Sequence, residues 1–224
     1  EKKLDDYHIL ALPGGFSYGD DIAAGRIFAN ELAINEAAQL RRFVADGKLI
    51  IGICNGFQVM AKAGLLPGIE PEAPKAPRPA ITVFDNDCGM YQCIWVHLKR
   101  ADNNNCVFTR GLPEIITLPV AHGEGKVMFD NDATLRKVHE NNQVVFQYVD
   151  EKGNFGGYPV NPNGATDHIA GICDPTGRIF GLMPHPERYS LPWHHPSWTR
   201  GNAPKSPSGT LIFKNAVNFA KKHL

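Results

Sequence analysis

The sequence has no excess of charge of either sign, because its 23 Lys and Arg residues balance 23 Asp and Glu residues. Nucleic-acid-binding proteins need a basic excess to displace the counterions of phosphates, so that class is disfavoured. The sequence has no unbroken apolar run of about 18 residues, which excludes a membrane-spanning helix. No apolar stretch follows the charged N-terminal residues, so no export signal is expected.

Cysteine is scarce and irregularly spaced, with five residues, an odd number, and no C-x-x-C pair. A chain of this size does not need disulfides to fold, so a disulfide scaffold is not expected. The missing C-x-x-C spacing removes the usual sign of a structural zinc site, and we predict no metal ligands. The pattern favours a reducing, cytoplasmic setting.

The 224 residues include 43% apolar ones, enough to bury a core, and we predict a single domain over residues 1–224. Short apolar runs at 7–12 and 49–53 each end at Gly or Pro or run into a predicted helix, which is typical of buried strands. Asn35 is predicted to cap a helix that ends before Gly47. This alternation of strands and helices predicts an α/β fold of three layers, with a mostly parallel sheet and helices on both faces.

The remainder of the chain shows further elements. Strands are predicted at 90–98, 115–119, 126–129 and 143–149, and helices at about 132–140 and 209–223. Residues 168–173 and 178–183 flank a turn signature and predict a hairpin. Two segments without a helix or strand period, 71–80 with four prolines and 190–208, are predicted to be loops.

The sequence Gly52-Ile-Cys-Asn-Gly56 is the strongest local sign of chemistry. Small residues two before and two after a nucleophile allow a strand to turn sharply into a helix and project the side chain. Cys54 would then lie at a helix N-terminus, which should lower the pKa of its thiol. The alternative is a buried core cysteine, the interpretation we give to the other four.

A cysteine nucleophile needs a base, and two His-x-Glu pairs could supply one together with a carboxylate that orients it. His185 and Glu187 follow an apolar run and are flanked by prolines that keep the segment extended, so both side chains point to the same side. His122 and Glu124 have the same spacing. Spacing does not decide between the pairs, and the strand end and the prolines favour His185.

Acyl chemistry also needs donors for an oxyanion. Pro13-Gly-Gly15 follows the first predicted strand and would lie at the same sheet edge as Cys54. The backbone N–H groups of Gly15 and of Asn55, the residue after the nucleophile, would form a two-donor site. The sequence carries neither the dinucleotide nor the P-loop fingerprint, so no nucleotide site is expected from this chain.

Four strings in this order carry a resemblance: Leu12-Pro-Gly-Gly-Phe-Ser-Tyr-Gly-Asp20, Gly52-Ile-Cys-Asn-Gly-Phe-Gln58, Pro119-Val-Ala-His-Gly-Glu-Gly125 and Gly181-Leu-Met-Pro-His-Pro-Glu-Arg188. Together they resemble the class I (triad) glutamine amidotransferases, and specifically the glutaminase subunits or domains that serve purine biosynthesis. The resemblance extends from about residue 5 to the C-terminus.

The resemblance implies a role for each matching position. Cys54 would attack the side-chain amide of glutamine, His185 would transfer the proton and Glu187 would orient His185. The implied neighbours of this triad are the oxyanion donors Gly15 and Asn55, the substrate contacts Phe16 and Gln58, and His122 and Glu124 near the site but outside the triad. The resemblance also implies a synthetase partner, either a separate protein or a domain of the same enzyme, that binds ATP and magnesium, with no cofactor in this chain.

The family resemblance implies a strand and a helix before Asp5, and we expect residues 1–224 to lack both. Two other functions remain open at this point. One is a cysteine hydrolase of the same fold that acts on another amide, which would not need the string from Pro119 to Gly125. The other is a non-catalytic partner subunit, which predicts a broken triad, whereas all three members are present.

Overall fold

A computed structural model describes residues 3–69, 79–201, 204 and 206–224, and its strands form two sheets. The strands of the larger sheet are β1 (Ile9–Leu12), β2 (Leu49–Ile53), β4 (Gln92–Arg100), β5 (Ile115–His122), β7 (Val144–Val149), β8 (Ile169–Cys173) and β9 (Ile179–Leu182). Those of the smaller sheet are β3 (Ile81–Asp85) and β6 (Glu124–Phe129). The α-helices are α1 (Arg26–Asn35), α2 (Ala37–Ala45), α3 (Asn55–Lys62), α4 (Asp132–Glu140) and α5 (Ser208–His223).

The larger sheet has the strand order β1-β2-β9-β8-β7-β4-β5 and is mixed. β1, β2 and β9 are parallel, with Gly52 opposite Leu12 on one side and Gly181 on the other. The other neighbours, from β9 to β5, pair antiparallel. The α/β class is confirmed, while the expected parallel pairing holds only for these three strands. The tight turn at 174–177 makes β8 and β9 antiparallel, because parallel strands need a much longer crossover connection.

Helical segments cover both faces of the sheet, as predicted. A Cβ added to Gly181 would overlap the ring of Phe57 in α3, so α3 lies directly on that face. The neighbouring Phe180 points to the opposite face, where its ring packs 5.6 Å from Phe108. Phe108 lies in a single-turn 3-10 helix against which α5 packs, and its carbonyl accepts a hydrogen bond from Asn215.

The predicted cap at Asn35 is wrong. Asn35 is the last residue of α1, a helix that was not predicted, and its side chain donates to Glu31 instead. α2 begins two positions later, with Glu36 at its N-cap and no side-chain cap hydrogen bond. Because Glu36 is the single residue between the helices, there is no separate turn in which Asn35 could act as a cap. The chain enters α1 through Gly25, whose φ of 72° suits glycine.

The other predicted elements are found close to their expected bounds. The helix α4 spans the predicted residues, and the hairpin of β8 and β9 closes through the turn at 174–177. Two single-turn 3-10 helices, Pro192–His194 and Trp198–Arg200, interrupt the predicted loop at 190–208. Of the predicted loop at 71–80, all but the last two residues lie outside the described part of the chain. No described helix has the length and apolar character that a membrane span requires.

Candidate active site

Cys54 occupies the sharp turn between β2 and α3. Its backbone has φ 50° and ψ −107°, a conformation that is strained for a residue with a side chain. Its N–H donates to the carbonyl of Leu182 at the end of β9, over 2.8 Å, and its carbonyl accepts from Gln58 in the first turn of α3. The predicted elbow, a sharp turn from strand to helix, is therefore present, with Cys54 at the turn.

Glycines make this elbow possible by close packing. A Cβ added to Gly56 would overlap the carbonyl oxygen of Leu12, and one added to Gly52 would overlap the Met60 sulfur. Both positions therefore allow α3 to lie against the ends of β1 and β2. The Cys54 sulfur in turn donates to the carbonyl of Ala121 in β5, over 3.6 Å.

The His185 side chain is almost fully buried and bonded to Glu187. The distance from Nδ1 of His185 to Oε1 of Glu187 is 2.6 Å. Because a carboxylate accepts, Nδ1 carries the proton and Nε2 presents a lone pair. Among the described residues, this Nε2 has no hydrogen-bond partner although it is buried. The His185 backbone is fixed by its N–H, which donates to the carbonyl of Pro119 over 2.8 Å.

Gly14 marks the place where the histidine and the cysteine meet. A Cβ added to Gly14 would lie 2.8 Å from Cε1 of the His185 ring and 3.3 Å from Cβ of Cys54. The loop after β1, the elbow and the segment after β9 therefore converge at one point, at the carboxyl ends of the three parallel strands. This is the place where open α/β sheets bind ligands.

Burial raises the pKa of the Cys54 thiol to about 11. The backbone N–H of Asn55 and the positive charge of Arg188 act in the opposite direction, but they do not outweigh desolvation. The prediction that the helix N-terminus gives Cys54 a lowered pKa is therefore wrong for the resting protein. The thiol is protonated at neutral pH, and a nearby base has to take its proton.

Of the two proposed oxyanion donors, Asn55 is the first residue of α3 and Gly15 lies in the loop after β1. The Asn55 N–H points towards the Cys54 sulfur, since it lowers the pKa of that thiol. Gly15 has φ 137°, which suits glycine, and a Cβ built there would meet nothing within 4 Å. Phe16 follows with an exposed ring that stacks on Tyr91, the ring centroids 6.5 Å apart.

Gln58 and Glu124 belong to one chain of hydrogen bonds. The Gln58 amide donates to the Glu124 carbonyl over 2.6 Å and accepts from the Asn55 side chain over 3.0 Å. Burial raises the pKa of the Glu124 carboxyl, although Lys62 and the backbone N–H of Ala24 partly offset this. Gln58 retains one amide hydrogen for another partner, so its predicted contact with substrate stays a prediction.

His122 is buried in a neutral form. The Asn86 side chain donates to two carbonyls, those of Met90 and of His122 itself, so its oxygen faces Nδ1 of His122 at 3.1 Å. Burial, and then the proximity of His185, lower the pKa of His122 to about 4. A Cβ added to Gly125 would overlap the His122 ring. Nδ1 of His122 therefore faces the oxygen of a neutral amide, whereas Nδ1 of His185 is hydrogen-bonded to the carboxylate of Glu187.

Sequence reasoning missed several residues that shape this site. Asn86 follows the unpredicted strand β3, and no local pattern marks it. Arg188 and Tyr91 act through charge and stacking, which spacing does not reveal. Gly14 belongs to the first of the four strings, but its contact with the His185 ring needed the fold. Within the described residues, no three His, Cys, Asp or Glu side chains are grouped so that they could hold a metal ion.

Comparison with known proteins gives a consistent group of relatives. The family described as the CobB/CobQ-like glutamine amidotransferase domain matches residues 1–220. Phosphoribosylformylglycinamidine synthase subunit PurQ from a strain of Methanococcus maripaludis is 46% identical, covering 99% of this chain and 85% of its own. The protein of the same name from Dehalococcoides mccartyi is 42% identical, covering 98% and 82%.

Solved structures agree with this group. The structure of PurLQS from Thermotoga maritima matches with a TM-score of 0.70 and 33% identity, covering 98% of this chain and 82% of that one. A putative GMP synthase component from Thermoplasma acidophilum matches with a TM-score of 0.52 at 16% identity, covering 98% of this chain and 76% of that one, which supports the fold alone.

Proposed function

Because the chain belongs to the CobB/CobQ-like glutamine amidotransferase family, we propose that it is the glutaminase component of phosphoribosylformylglycinamidine synthase. In this role it hydrolyses glutamine to glutamate and ammonia for purine biosynthesis. The observation that carries the proposal is the convergence of Cys54, the His185 ring and the Gly14 backbone, with Glu187 bonded to the ring. Relatives that span nearly the whole chain support the choice of reaction.

The first half of the reaction forms a thioester. Nε2 of His185 takes the proton of the Cys54 thiol as the sulfur attacks the amide carbon of glutamine. The backbone N–H groups of Gly15 and Asn55 bind the oxygen on which negative charge develops. His185 then gives the proton to the amide nitrogen, the carbon–nitrogen bond breaks and ammonia leaves. Glu187 keeps the proton on Nδ1, so Nε2 stays available throughout.

The second half of the reaction hydrolyses the thioester. His185 accepts a proton from water as the water oxygen attacks the thioester carbon, and it returns that proton to the leaving sulfur of Cys54. Glutamate is released and the thiol is restored. We assign Phe16 and Gln58 to contacts with bound glutamine. His122 and Glu124 lie outside the triad and support the surrounding structure.

The ammonia is used by a synthetase partner. The PurLQS structure pairs a relative of this chain with other components, which supports a complex here. In the proposed complex, the partner binds formylglycinamide ribonucleotide, ATP and magnesium and converts the ribonucleotide to formylglycinamidine ribonucleotide. The five cysteines of this chain are all free thiols, which favours a reducing, cytoplasmic location.

The decisive experiment combines labelling and substitution in the complex with the synthetase. A diazoketone analogue of glutamine should add once, on Cys54, and leave the exposed thiol of Cys93 unmodified. Cys54→Ala should abolish glutamine-dependent synthesis while synthesis from added ammonium salt continues. Cys93→Ala is the matched control and should retain both activities.

Two results would contradict the proposal. Retention of more than about a tenth of glutamine hydrolysis in Cys54→Ala would exclude a covalent nucleophile, whose removal costs several orders of magnitude. Hydrolysis of another amide in preference to glutamine would instead indicate a different cysteine hydrolase of the same fold.

A further inference from the structure

The side chain of Asn55 is buried next to the nucleophile and connects two separate segments. Its Oδ1 accepts from the backbone N–H of Ser17 over 3.3 Å. Its Nδ2 donates to the Asp20 carboxylate and to the Gln58 side chain, each over 3.0 Å. Both amide hydrogens are therefore used, and two of the three bonds hold the loop after β1 against the start of α3.

This loop is strained and has little packing of its own. Tyr18, Asp20 and Ile22 all have positive φ, between 54° and 73°, although none of them is glycine. Such conformations are strained for residues with a side chain and persist only where the surroundings hold them. The Tyr18 and Ile22 side chains are 56% and 86% exposed, so the core does not supply that support.

Two further contacts fix the ends of the same network. Beyond the strained residues, Nζ of Lys62 donates to the carbonyl of Ala24 over 2.6 Å. On the other side of Asn55, the Gln58 amide donates to the Glu124 carbonyl at the start of β6. The loop, α3 and β6 are thus joined, and Asn55 bonds to the strained part of the loop through Asp20.

We propose that Asn55 is a positioning residue that sets both halves of the oxyanion site, one directly and one through the loop. Its own backbone N–H is one donor, and its side chain holds the loop in which Gly15 presents the other. A misplacement of about 1 Å between such donors lowers a rate by roughly 100-fold. The inference rests on the proposed glutaminase function for its effect on rate, whereas the effect on the loop is independent of that function.

The test removes the side chain and keeps the backbone donor. In Asn55→Ala, hydrogen exchange of the peptide covering residues 14–22 should become at least about tenfold faster, because its bonds to the loop are lost. In the complex with the synthetase, kcat for glutamine hydrolysis should fall about 10- to 100-fold, with KM changed less than about threefold. Alkylation of Cys54 by iodoacetamide should stay within about threefold of wild type, since the hydrogen bond from its sulfur to Ala121 and its own backbone are unchanged.

A second test exchanges the amide and the carboxylate between positions 55 and 20, which keeps the size of both side chains. Asn55→Asp places a carboxylate against Asp20 and should be more damaging than Asn55→Ala. Asp20→Asn in the same chain restores a donor opposite the new carboxylate and should recover part of the slow exchange and of kcat. The matched control is Asn161→Ala, which removes a buried amide that holds the turn at 161–165. It should lower stability without altering exchange at 14–22.

Exchange and kinetic measurements together distinguish the positioning role of Asn55 from the proposed glutaminase function. Unchanged exchange at 14–22 in Asn55→Ala, or a fall in kcat with no recovery in the double variant, would overturn the positioning role. If the wild-type complex does not hydrolyse glutamine, the proposed function fails. Faster exchange in that case would still establish that Asn55 holds the loop.

Discussion

At Cys54, desolvation and hydrogen bonding act on the thiol in opposite directions. Burial removes the water that would stabilise a thiolate, and this raises the pKa to about 11. The Asn55 N–H and Arg188 favour the thiolate but are weaker. In the proposed mechanism, deprotonation of Cys54 therefore accompanies the attack on substrate, with His185 as acceptor.

The raised pKa predicts how the reactivity of Cys54 depends on pH. Below a pKa of about 11 the thiolate fraction grows about tenfold per pH unit, so alkylation by iodoacetamide should rise continuously from pH 7 to 9. The same chain in denaturant is the control, because ordinary thiols approach a plateau near their pKa of about 8.5. A plateau below pH 8 in the folded chain would indicate a preformed thiolate and contradict this account.

The two buried histidines differ in their partners, which predicts unequal effects of substitution. His185→Ala should lower kcat about 100- to 10,000-fold, the usual contribution of general acid–base catalysis, because Nε2 is lost. His122→Ala should cost less than about tenfold, because its Nδ1 is bonded to the neutral Asn86 and burial holds its pKa near 4. Steady-state kinetics of the complex would measure both. Equal losses in two folded variants would refute the ordering.

At the scale of elements, the elbow depends on close contact between α3 and the ends of the parallel strands. Gly56 lies against the carbonyl of Leu12, a backbone atom that cannot move without displacing β1. Cys54 is held where a short strand, β2, meets the first turn of a helix of eight residues. Small shifts of α3 would therefore move Cys54 relative to His185.

Gly56→Ala should separate α3 from β1. The added methyl group overlaps the Leu12 carbonyl, so we expect the free energy of unfolding to fall by at least about 2 kcal/mol, with a loss of glutaminase activity. Urea denaturation measures the first effect. The matched control is Gly157→Ala, where a Cβ meets nothing within 4 Å and the change should be below about 0.5 kcal/mol. Similar stabilities for the two variants would show that the contact is unimportant.

At the scale of the whole molecule, the proposed function requires coupling to the synthetase. Ammonia released into solvent at neutral pH becomes mostly ammonium and is lost to the acceptor. The chain should therefore hydrolyse glutamine slowly alone, and kcat should rise at least about tenfold when the partner is loaded with its nucleotide and acceptor. Glutamate production with and without the loaded partner measures this. The same kcat in both conditions would remove the basis for coupling.

Elements whose signals are local can be predicted from the amino-acid sequence. The helix α4, the turn between β8 and β9 and the elbow at Cys54 each depend on residues only a few positions apart, so their patterns were readable. The family and the reaction also follow from short strings, because each string places reactive side chains and glycines within a few positions of one another.

Strand pairing, the Cys54 pKa and long-range hydrogen bonds depend on distant residues, and only the tertiary structure shows them. The antiparallel pairing of β4 with β5 and β7, and the unpredicted strand β3, follow from partners chosen in the folded chain. The Cys54 pKa reverses its expected direction because burial is a property of the whole core. The bond from Asn55 to Asp20 spans 35 positions, and that from Cys54 to Ala121 spans 67. No local period records such contacts, since these atoms belong to distant segments that meet only in the folded chain.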